Sequence, residues 1–134
     1  MSAEDNLATV KGIYEAFGKG DVPAILDQLT DDVDWAAEAS SDAVPWYGMR
    51  KGKDEVVGFF QAIGAAVDVS EFNPRSFTSN DDEVMVLIDF TMKSKETGRE
   101  ASMQIFHYWH LRDGKVDHYR GTEDTAATLA MLGK

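Results

Sequence analysis

The chain contains no cysteine, and it is poor in positive charge. Lacking cysteine, it has no disulfides, no thiolate nucleophile and no cysteine-ligated metal site. Its 13 Lys and Arg residues face 24 Asp and Glu residues, so the formal net charge is -11 at pH 7. Because such a field repels phosphates and anionic lipid headgroups, nucleic acid and membrane surfaces are excluded as expected partners.

Long hydrophobic runs are also missing. No apolar stretch approaches the roughly 18 residues that a membrane span needs, and the acidic first residues are not typical of a secretory signal. These features predict a cytoplasmic protein. A length of 134 residues suits a single domain, 1–134, and 43% hydrophobic with 28% charged residues is an ordinary globular composition.

What the chain does contain is a strong hairpin signal between residues 99 and 123. Two runs rich in β-branched and aromatic residues flank Asp113-Gly114, a pair that tolerates the positive φ of a tight turn. Alternation places every second residue of the first run on one face, which carries Ala101, Met103, Ile105, His107, Trp109 and Leu111. Since that face is apolar except for His107, any chemistry is expected to involve this residue.

Other segments show the periodicity of helices and strands. The apolar spacing and capping residues predict helices over 4–18, from Asp21 onwards, over 53–67, and over 126–132 with Asp124 or Thr125 as its cap. Alternation predicts strands over 33–38, 71–78 and 83–94. Both faces of the 83–94 strand carry apolar residues, so both are expected to be covered.

Two loop segments allow more than one interpretation. Asp31, Asp32 and Asp34 look like a solvated acidic loop; a metal site is the less favoured alternative, because it needs converging ligands. Trp46 and Tyr47 form either a lid over a cavity or a plug that completes the core, and the plug is slightly favoured.

The order of these elements resembles the nuclear transport factor 2 and ketosteroid isomerase superfamily, specifically its SnoaL-like branch. The resemblance covers nearly the whole chain and is carried mainly by turns, caps and core segments. These are Tyr14-Glu15-Ala16-Phe17 with Gly20-Asp21, Leu29 to Val33, Tyr47-Gly48 with Gly52, Thr97-Gly98-Arg99, His107-Tyr108-Trp109 with Arg112 to Val116, and Asp124-Thr125-Ala126. The resemblance implies an α+β fold: a cone-shaped, curved antiparallel (mixed) sheet wrapped around three N-terminal helices and enclosing a pocket.

The resemblance also bears on chemistry. Ketosteroid isomerases use a carboxylate base with a tyrosine and a protonated aspartate as oxyanion donors, and matching these positions gives Ala37, Ile13 (one residue before Tyr14) and His107. Steroid isomerisation is therefore not predicted. SnoaL-like polyketide cyclases use acid-base residues near the end of the sheet, where this chain has Tyr119, Arg120 and Glu123.

The candidate catalytic residues are His107 first, then Tyr14 and Glu123. Histidine exchanges protons at neutral pH, but a buried core histidine is an equal alternative for His107. Glu123, like Glu38, is expected to be solvated at a strand end. The expected pocket lining is apolar and aromatic: Phe17, Trp35, Phe59, Ile63, Met103, Trp109 and Tyr119.

No cofactor or metal is expected. His107 and His110 lie on opposite strand faces, His110 and His118 are interpreted as surface residues, and no phosphate-binding loop is present. Arg120 and Asp124 are predicted to form a structural ion pair.

Two functional hypotheses follow. The first is a SnoaL-like enzyme, a cofactor-free isomerase, cyclase or hydrolase acting on a small apolar molecule; the second is a non-catalytic binding or accessory protein with the same pocket. A carboxylate or tyrosine within hydrogen-bond reach of His107 would favour catalysis. Separately, an apolar outer sheet face predicts a homodimer; it carries Met85, Leu87, Phe106 and Tyr108.

Overall fold

The computed structural model describes residues 2–134 and consists of four helices and a six-stranded sheet. The helices are α1 (Ala3–Gly18), α2 (Val22–Leu26), α3 (Gly52–Ala66) and α4 (Thr125–Leu132). The strands are β1 (Leu29–Ala37), β2 (Gly48–Lys51), β3 (Val67–Ser79), β4 (Glu83–Ser94), β5 (Glu100–Arg112) and β6 (Lys115–Thr122).

The sheet has the strand order β2-β1-β6-β5-β4-β3. Only β1 and β6 pair in parallel, and all other neighbours are antiparallel, so the sheet is mixed. The pairing register shifts within β3, between β5 and β6, and between β1 and β6. Such bulges bend strands, and the sheet curves around α1, which contacts β3 and β4, and α3, which contacts β1.

Helix α1 begins where its sequence predicts. The Ser2 hydroxyl accepts a hydrogen bond from the Asp5 backbone nitrogen at 3.1 Å, and the Asp5 carboxylate accepts in return from the Ser2 backbone. This capping box satisfies two backbone donors of the first turn. The helix buries Val10, Ile13 and Tyr14 against the sheet, so the side chain of Tyr14 faces the interior.

The predicted hairpin forms β5 and β6. Asp113 has φ 53° and Gly114 has φ 82°, the positive values that this residue pair tolerates. Trp109 and Leu111 are buried from one face of β5, whereas Phe106 on the other face is 52% exposed. The alternation predicted from the sequence is confirmed for these residues.

Two predicted strand boundaries are wrong, and one strand was not predicted. The strand predicted over 33–38 begins at Leu29, so the three aspartates lie within β1 and not in a loop. The strand predicted over 71–78 begins directly after α3, at Val67, and β2 was not predicted. The four residues of β2 are exposed or half-exposed and show no clear alternation, so the sequence pattern does not indicate a strand there. They form a strand because they pair with the edge of β1.

Among residues 2–134, no helix is long and apolar enough to cross a membrane.

Candidate functional site

A cavity, called the central cavity, lies between the sheet, α1 and α3. Its volume is about 70 Å³ and its walls are mainly aromatic. Several rings contact one another there: Trp35 and Tyr119 stack with centroids 4.1 Å apart, and Trp109 lies 4.6 Å from Tyr119. The polar side chains on the wall fall into two groups, one around His107 and one around Glu123.

The first group is a chain of hydrogen bonds that ends on His107. Trp109 donates from Nε1 to the Tyr14 hydroxyl oxygen at 3.0 Å, and the same hydroxyl lies 2.8 Å from His107 Nδ1. Indole can only donate, so the Tyr14 oxygen accepts from Trp109 and keeps its own proton for Nδ1. That assignment makes Nδ1 an acceptor and leaves the proton of neutral His107 on Nε2.

His107 lies deep in the molecule but keeps some accessible surface toward the cavity. Burial lowers the pKa of His107 to about 3, because the charged imidazolium would lose its hydration. The pKa of Tyr14 is raised far above its usual range for the same reason, although the Trp109 hydrogen bond opposes the shift. Both groups are therefore neutral at physiological pH, and His107 presents a hydrogen-bond donor and not a cation.

Gly121 shapes the wall beside His107. It pairs with His107 across β5 and β6, and a Cβ at this position would lie 2.3 Å from the Tyr119 hydroxyl and 3.4 Å from Cδ2 of His107. No side chain fits at that distance, so glycine is what allows the Tyr119 hydroxyl to approach the imidazole edge. The Tyr119 hydroxyl and the Nε2 edge of His107 thus lie near one point of the cavity wall.

The second polar group surrounds Glu123, at the end of β6. Its carboxylate accepts from Trp46 Nε1 at 3.1 Å and from the Thr128 hydroxyl at 3.4 Å. Burial raises the pKa of Glu123, while the hydrogen bonds from its neighbours act in the opposite direction. Glu123 was expected to be solvated, and this prediction is wrong. Glu123 is half-buried, because the loop carrying buried Trp46 and Tyr47 folds over the strand end.

Two polar atoms near the cavity have no hydrogen-bond partner among residues 2–134. They are Nε1 of Trp35 and the hydroxyl of Tyr47, and both are fully buried. Desolvation, followed by the nearby Glu123 charge, raises the pKa of Tyr47 to about 12. An unsatisfied buried donor costs free energy, so a ligand or ordered water in the cavity would relieve that cost.

The structure brings most of the candidate residues to one cavity. His107, Tyr14 and Glu123 all line it, and so do six of the seven residues expected in its wall: Phe17, Trp35, Phe59, Ile63, Trp109 and Tyr119. Met103 is not part of the lining. It shares the strand face of His107, but Phe90, its register partner on β4, lines the cavity at this level instead.

The predicted ion pair between Arg120 and Asp124 does not form. Arg120 instead contacts Asp34 at 2.9 Å and Glu38 at 2.9 Å. The parallel pairing of β1 with β6 sets Arg120 beside this carboxylate-rich strand, and sequence distance alone did not show it. Asp124 serves as the N-cap of α4, with its carboxylate accepting from the Ala127 backbone at 3.0 Å.

The remaining charged candidates are held in ion pairs. Each of the three aspartates at the start of the chain's first strand pairs with a cation: Asp31 with Lys53, Asp32 with Arg112, and Asp34 with Lys51 and Arg120. His110 is half-buried and contacts Asp117 at 2.6 Å. In the described part of the chain, no group of three or more His, Asp or Glu side chains is placed to hold a metal ion.

The sequence analysis did not place Phe60 and Phe72 in the wall, and it left open whether Tyr47 covers a cavity or completes the core; Tyr47 is buried and lines the cavity. The spacing of Tyr14 within the buried stripe of α1 was an available signal for its inward direction. Nothing in the sequence indicated that Trp46 would reach Glu123, because 77 residues separate them.

Comparison with known proteins agrees with this architecture. Residues 10–119 match the family model described as the SnoaL-like domain. An NTF2-like protein of unknown function from Burkholderia pseudomallei is 25% identical, with a TM-score of 0.89 over 97% of this chain and 98% of that one. An NTF2-like protein from Burkholderia xenovorans is also 25% identical, with a TM-score of 0.88 over 98% of each chain.

More distant structures share the fold. TerC, crystallised with polyporic acid, is 22% identical, with a TM-score of 0.84 over 97% of this chain and 99% of that one. A comparison with curated protein sequences finds no match. The matched family model covers most of the chain and the fold agrees throughout, so this protein belongs to the SnoaL-like domain family, with an NTF2-like fold.

Proposed function

We propose that this protein is a cofactor-independent acid-base enzyme that moves a proton next to a carbonyl group of a small, largely apolar substrate. The observation that carries the proposal is the 2.8 Å contact between Tyr14 and His107 inside an aromatic cavity that also contains the Glu123 carboxyl. This is the convergence of polar groups that distinguishes acid-base chemistry from a cavity filled only by side chains.

His107 acts as the hydrogen-bond donor to the carbonyl oxygen. Its tautomer is set by Tyr14, which in turn is held by Trp109, so Nε2–H is positioned before the substrate arrives. A donor held in place within a water-poor site stabilises the negative charge that develops on oxygen when a neighbouring C–H is deprotonated. The low pKa of His107, about 3, keeps this donor neutral.

Glu123 acts as the base. Its pKa is raised by burial, so the carboxylate is a stronger base than a solvated one and takes up a proton more readily. The proton leaves the substrate carbon for Glu123, and the electron pair moves toward the carbonyl oxygen. When that carbon also adjoins a C=C bond, the resulting dienolate takes the proton back from Glu123 at the far carbon of the double bond, which gives an isomer with the double bond conjugated to the carbonyl. If the same enolate attacks a second carbonyl of the substrate, a C–C bond forms and the resulting alkoxide takes the proton back from Glu123, which gives a cyclised product.

The test is exchange of hydrogen for deuterium next to the carbonyl of small aryl and alkyl ketones in D₂O, followed by mass spectrometry. We expect Glu123→Gln to lower exchange by at least 100-fold, and His107→Phe to lower it by about 10²–10³-fold, as for loss of an oxyanion donor. Glu100→Gln and His118→Gln are matched surface controls that should retain exchange. Full exchange by Glu123→Gln, or no exchange by the wild type, would contradict the proposal.

A non-catalytic binding protein is the second candidate, and one observation favours it. With a pKa near 3, His107 does not itself exchange protons at neutral pH, which suits a fixed donor for a bound ligand. Saturable binding of ketones without any exchange would support this alternative. TerC shares the fold and was crystallised with polyporic acid, so a small organic ligand is a reasonable starting point for either candidate.

We propose further that the protein forms a homodimer through the outer face of β4 and β5. Met85 is 55% exposed and Phe106 is 52% exposed there. Their register partners, Tyr108 and Leu87, lie on the same face, so the four side chains form one continuous apolar patch. An exposed apolar patch of this kind is typical of a self-association surface. The cytoplasmic location stays a prediction.

A further inference from the structure

A second space adjoins the central cavity on the helical side. This space, called the helix groove below, opens at the surface between α2, α3 and the start of β3 and has a volume of about 200 Å³. Its lining includes Val22, Phe60, Ile63, Gly64 and Val69, and every residue lining it is apolar or glycine. On a chain with 24 acidic residues, a surface groove without any charged or polar side chain requires an explanation.

The helix groove is continuous with the central cavity through shared walls. Phe17, Ile25, Phe60, Ile63 and Val67 line both spaces. Three of them, Phe17, Phe60 and Ile63, are only partly buried although they pack against the core. A single layer of apolar side chains therefore separates the helix groove from the central cavity.

The central cavity is small compared with typical ligand-binding sites. At about 70 Å³ it is much smaller than the roughly 300–1,000 Å³ of typical small-molecule sites. A substrate whose carbonyl reaches His107 must therefore extend into a neighbouring space. The other neighbour lies at the ends of β1 and β6, is lined by Glu38, Ser40 and Thr122 among others, and has a volume of about 500 Å³.

The two neighbouring spaces differ in polarity. The one at the strand ends carries a carboxylate and hydroxyl groups, so it suits water, a polar substituent or the route of entry. The helix groove provides only apolar contact, and burying a methylene group there is worth about a fourfold gain in affinity. An alkyl chain of a ligand therefore gains the most affinity when it extends from His107 toward Phe60 and Ile63.

We propose that the helix groove binds an unbranched alkyl chain of the substrate, so that the substrate class is a medium-chain carbonyl compound. The carbonyl lies at His107 and the chain passes between Phe17, Phe60 and Ile63 to the surface near Gly64. The position of the carbonyl at His107 rests on the proposed function. The binding of the alkyl chain in the helix groove does not depend on it. Passage requires the shared side chains to change rotamer, and Phe17, Phe60 and Ile63 are only partly buried.

The experiment measures dissociation constants of straight-chain 2-alkanones from five to eleven carbons, using the fluorescence of the cavity tryptophans or calorimetry. For the wild type we expect affinity to rise about fourfold per added methylene across the series. In Gly64→Leu the gain should stop after the shorter ketones, since the new side chain occupies the groove. Gly64→Ala should give an intermediate result.

Gly64 is suited to this test because the fold tolerates a side chain there. It is exposed on α3, and a Cβ at this position would contact nothing within 4 Å. Gly12 on α1 is equally exposed and equally unobstructed but lies outside the helix groove, so Gly12→Leu is the matched control. Both substitutions replace a helical glycine and should raise helix stability similarly.

The proposal is overturned if wild-type affinity does not depend on chain length, if no alkanone binds, or if Gly64→Leu and Gly12→Leu bind the eleven-carbon ketone equally well. Binding is measured without turnover, so the two proposals fail separately. Chain-length dependence without deuterium exchange contradicts the acid-base function and supports the groove. Deuterium exchange together with an affinity that does not change with alkanone length contradicts alkyl-chain binding in the helix groove, but it does not contradict the acid-base function.

Discussion

His107 shows how one residue's properties depend on its neighbours. In water its imidazole would titrate near neutral pH, but burial keeps it neutral and Tyr14 directs its remaining proton into the cavity. The contribution of Trp109 is indirect, since it holds the Tyr14 hydroxyl. The three side chains thus function as one donor unit, and removing any one of them should change the direction or the availability of the Nε2 proton.

The buried neutral state of His107 predicts an acid sensitivity of the fold. The unfolded chain takes up a proton on this residue near pH 6.5, whereas the folded protein does so only at about pH 3. The unfolded state therefore binds more protons between these values, and stability falls as pH falls through that window. We expect this group to remove about 2 kcal/mol of the free energy of unfolding between pH 7 and pH 5. Urea denaturation at both pH values measures it.

The comparison variant for this prediction is His107→Gln, with His107→Asn as an alternative of smaller size. Either should lose about 2 kcal/mol less than the wild type between pH 7 and pH 5. Taking the difference between proteins cancels the opposite contribution of Glu123, whose raised pKa favours the folded state as pH falls. Equal pH dependence in the wild type and both variants would mean that His107 has the same pKa in the folded protein as in the unfolded chain.

At the scale of elements, helix α4 illustrates the difference between a cap and an ion pair. Asp124 accepts from the first turn of α4, and the other end of the helix is tied to the sheet by Thr97, which donates to the Met131 carbonyl at 2.6 Å. Arg120 belongs to a separate network with Asp34 and Glu38. Arg120 and Asp124 therefore stabilise different elements, although they lie only four positions apart in the sequence.

This arrangement predicts that Asp124→Ala lowers the free energy of unfolding by about 1 kcal/mol, because the Ala127 backbone loses its hydrogen-bond partner. Asp124→Asn should be nearly neutral, since asparagine caps a helix about as well as aspartate. Denaturant titrations of the three proteins measure both effects. If Asn destabilised as much as Ala, the charge of Asp124 would matter and the capping explanation would be wrong.

At the scale of the whole molecule, the curved sheet has two apolar faces with different uses. The inner face forms the core and the cavity, and the outer face exposes Met85 and Phe106. All six strands belong to one sheet, in keeping with our proposal that residues 1–134 form one domain. No helix or strand of residues 2–134 covers Met85 and Phe106 in this outer patch.

The proposed dimer predicts the effect of a charge on this patch. Phe106→Asp should convert the protein to a monomer, because two carboxylates would meet across a symmetric interface, and sedimentation velocity at micromolar concentration detects the change. Met49 is 61% exposed on the edge strand β2, so Met49→Asp is the matched control and should stay dimeric. A wild-type monomer at that concentration would contradict the proposed dimer.

Much of the fold follows from local patterns. The α1 capping box, the Asp113-Gly114 turn, the N-cap at Asp124 and the alternating faces of β5 depend on residues near one another in the chain, so periodicity and turn chemistry identify them. The start of β1 and the existence of β2 could not be identified in this way. Those segments are strands because a neighbouring strand supplies hydrogen bonds, and pairing partners distant in sequence leave no local pattern.

The same distinction holds for the site. The sequence by itself determined that His107 faces inward among apolar residues and that the charge balance is acidic. Only the tertiary structure decided that the Tyr14 hydroxyl, 93 residues away, contacts His107, that Trp46 donates a hydrogen bond to Glu123, and that Arg120 pairs with Asp34. Hydrogen bonding and desolvation act over a few ångströms, so they depend on which residues the fold brings together and not on their order in the chain.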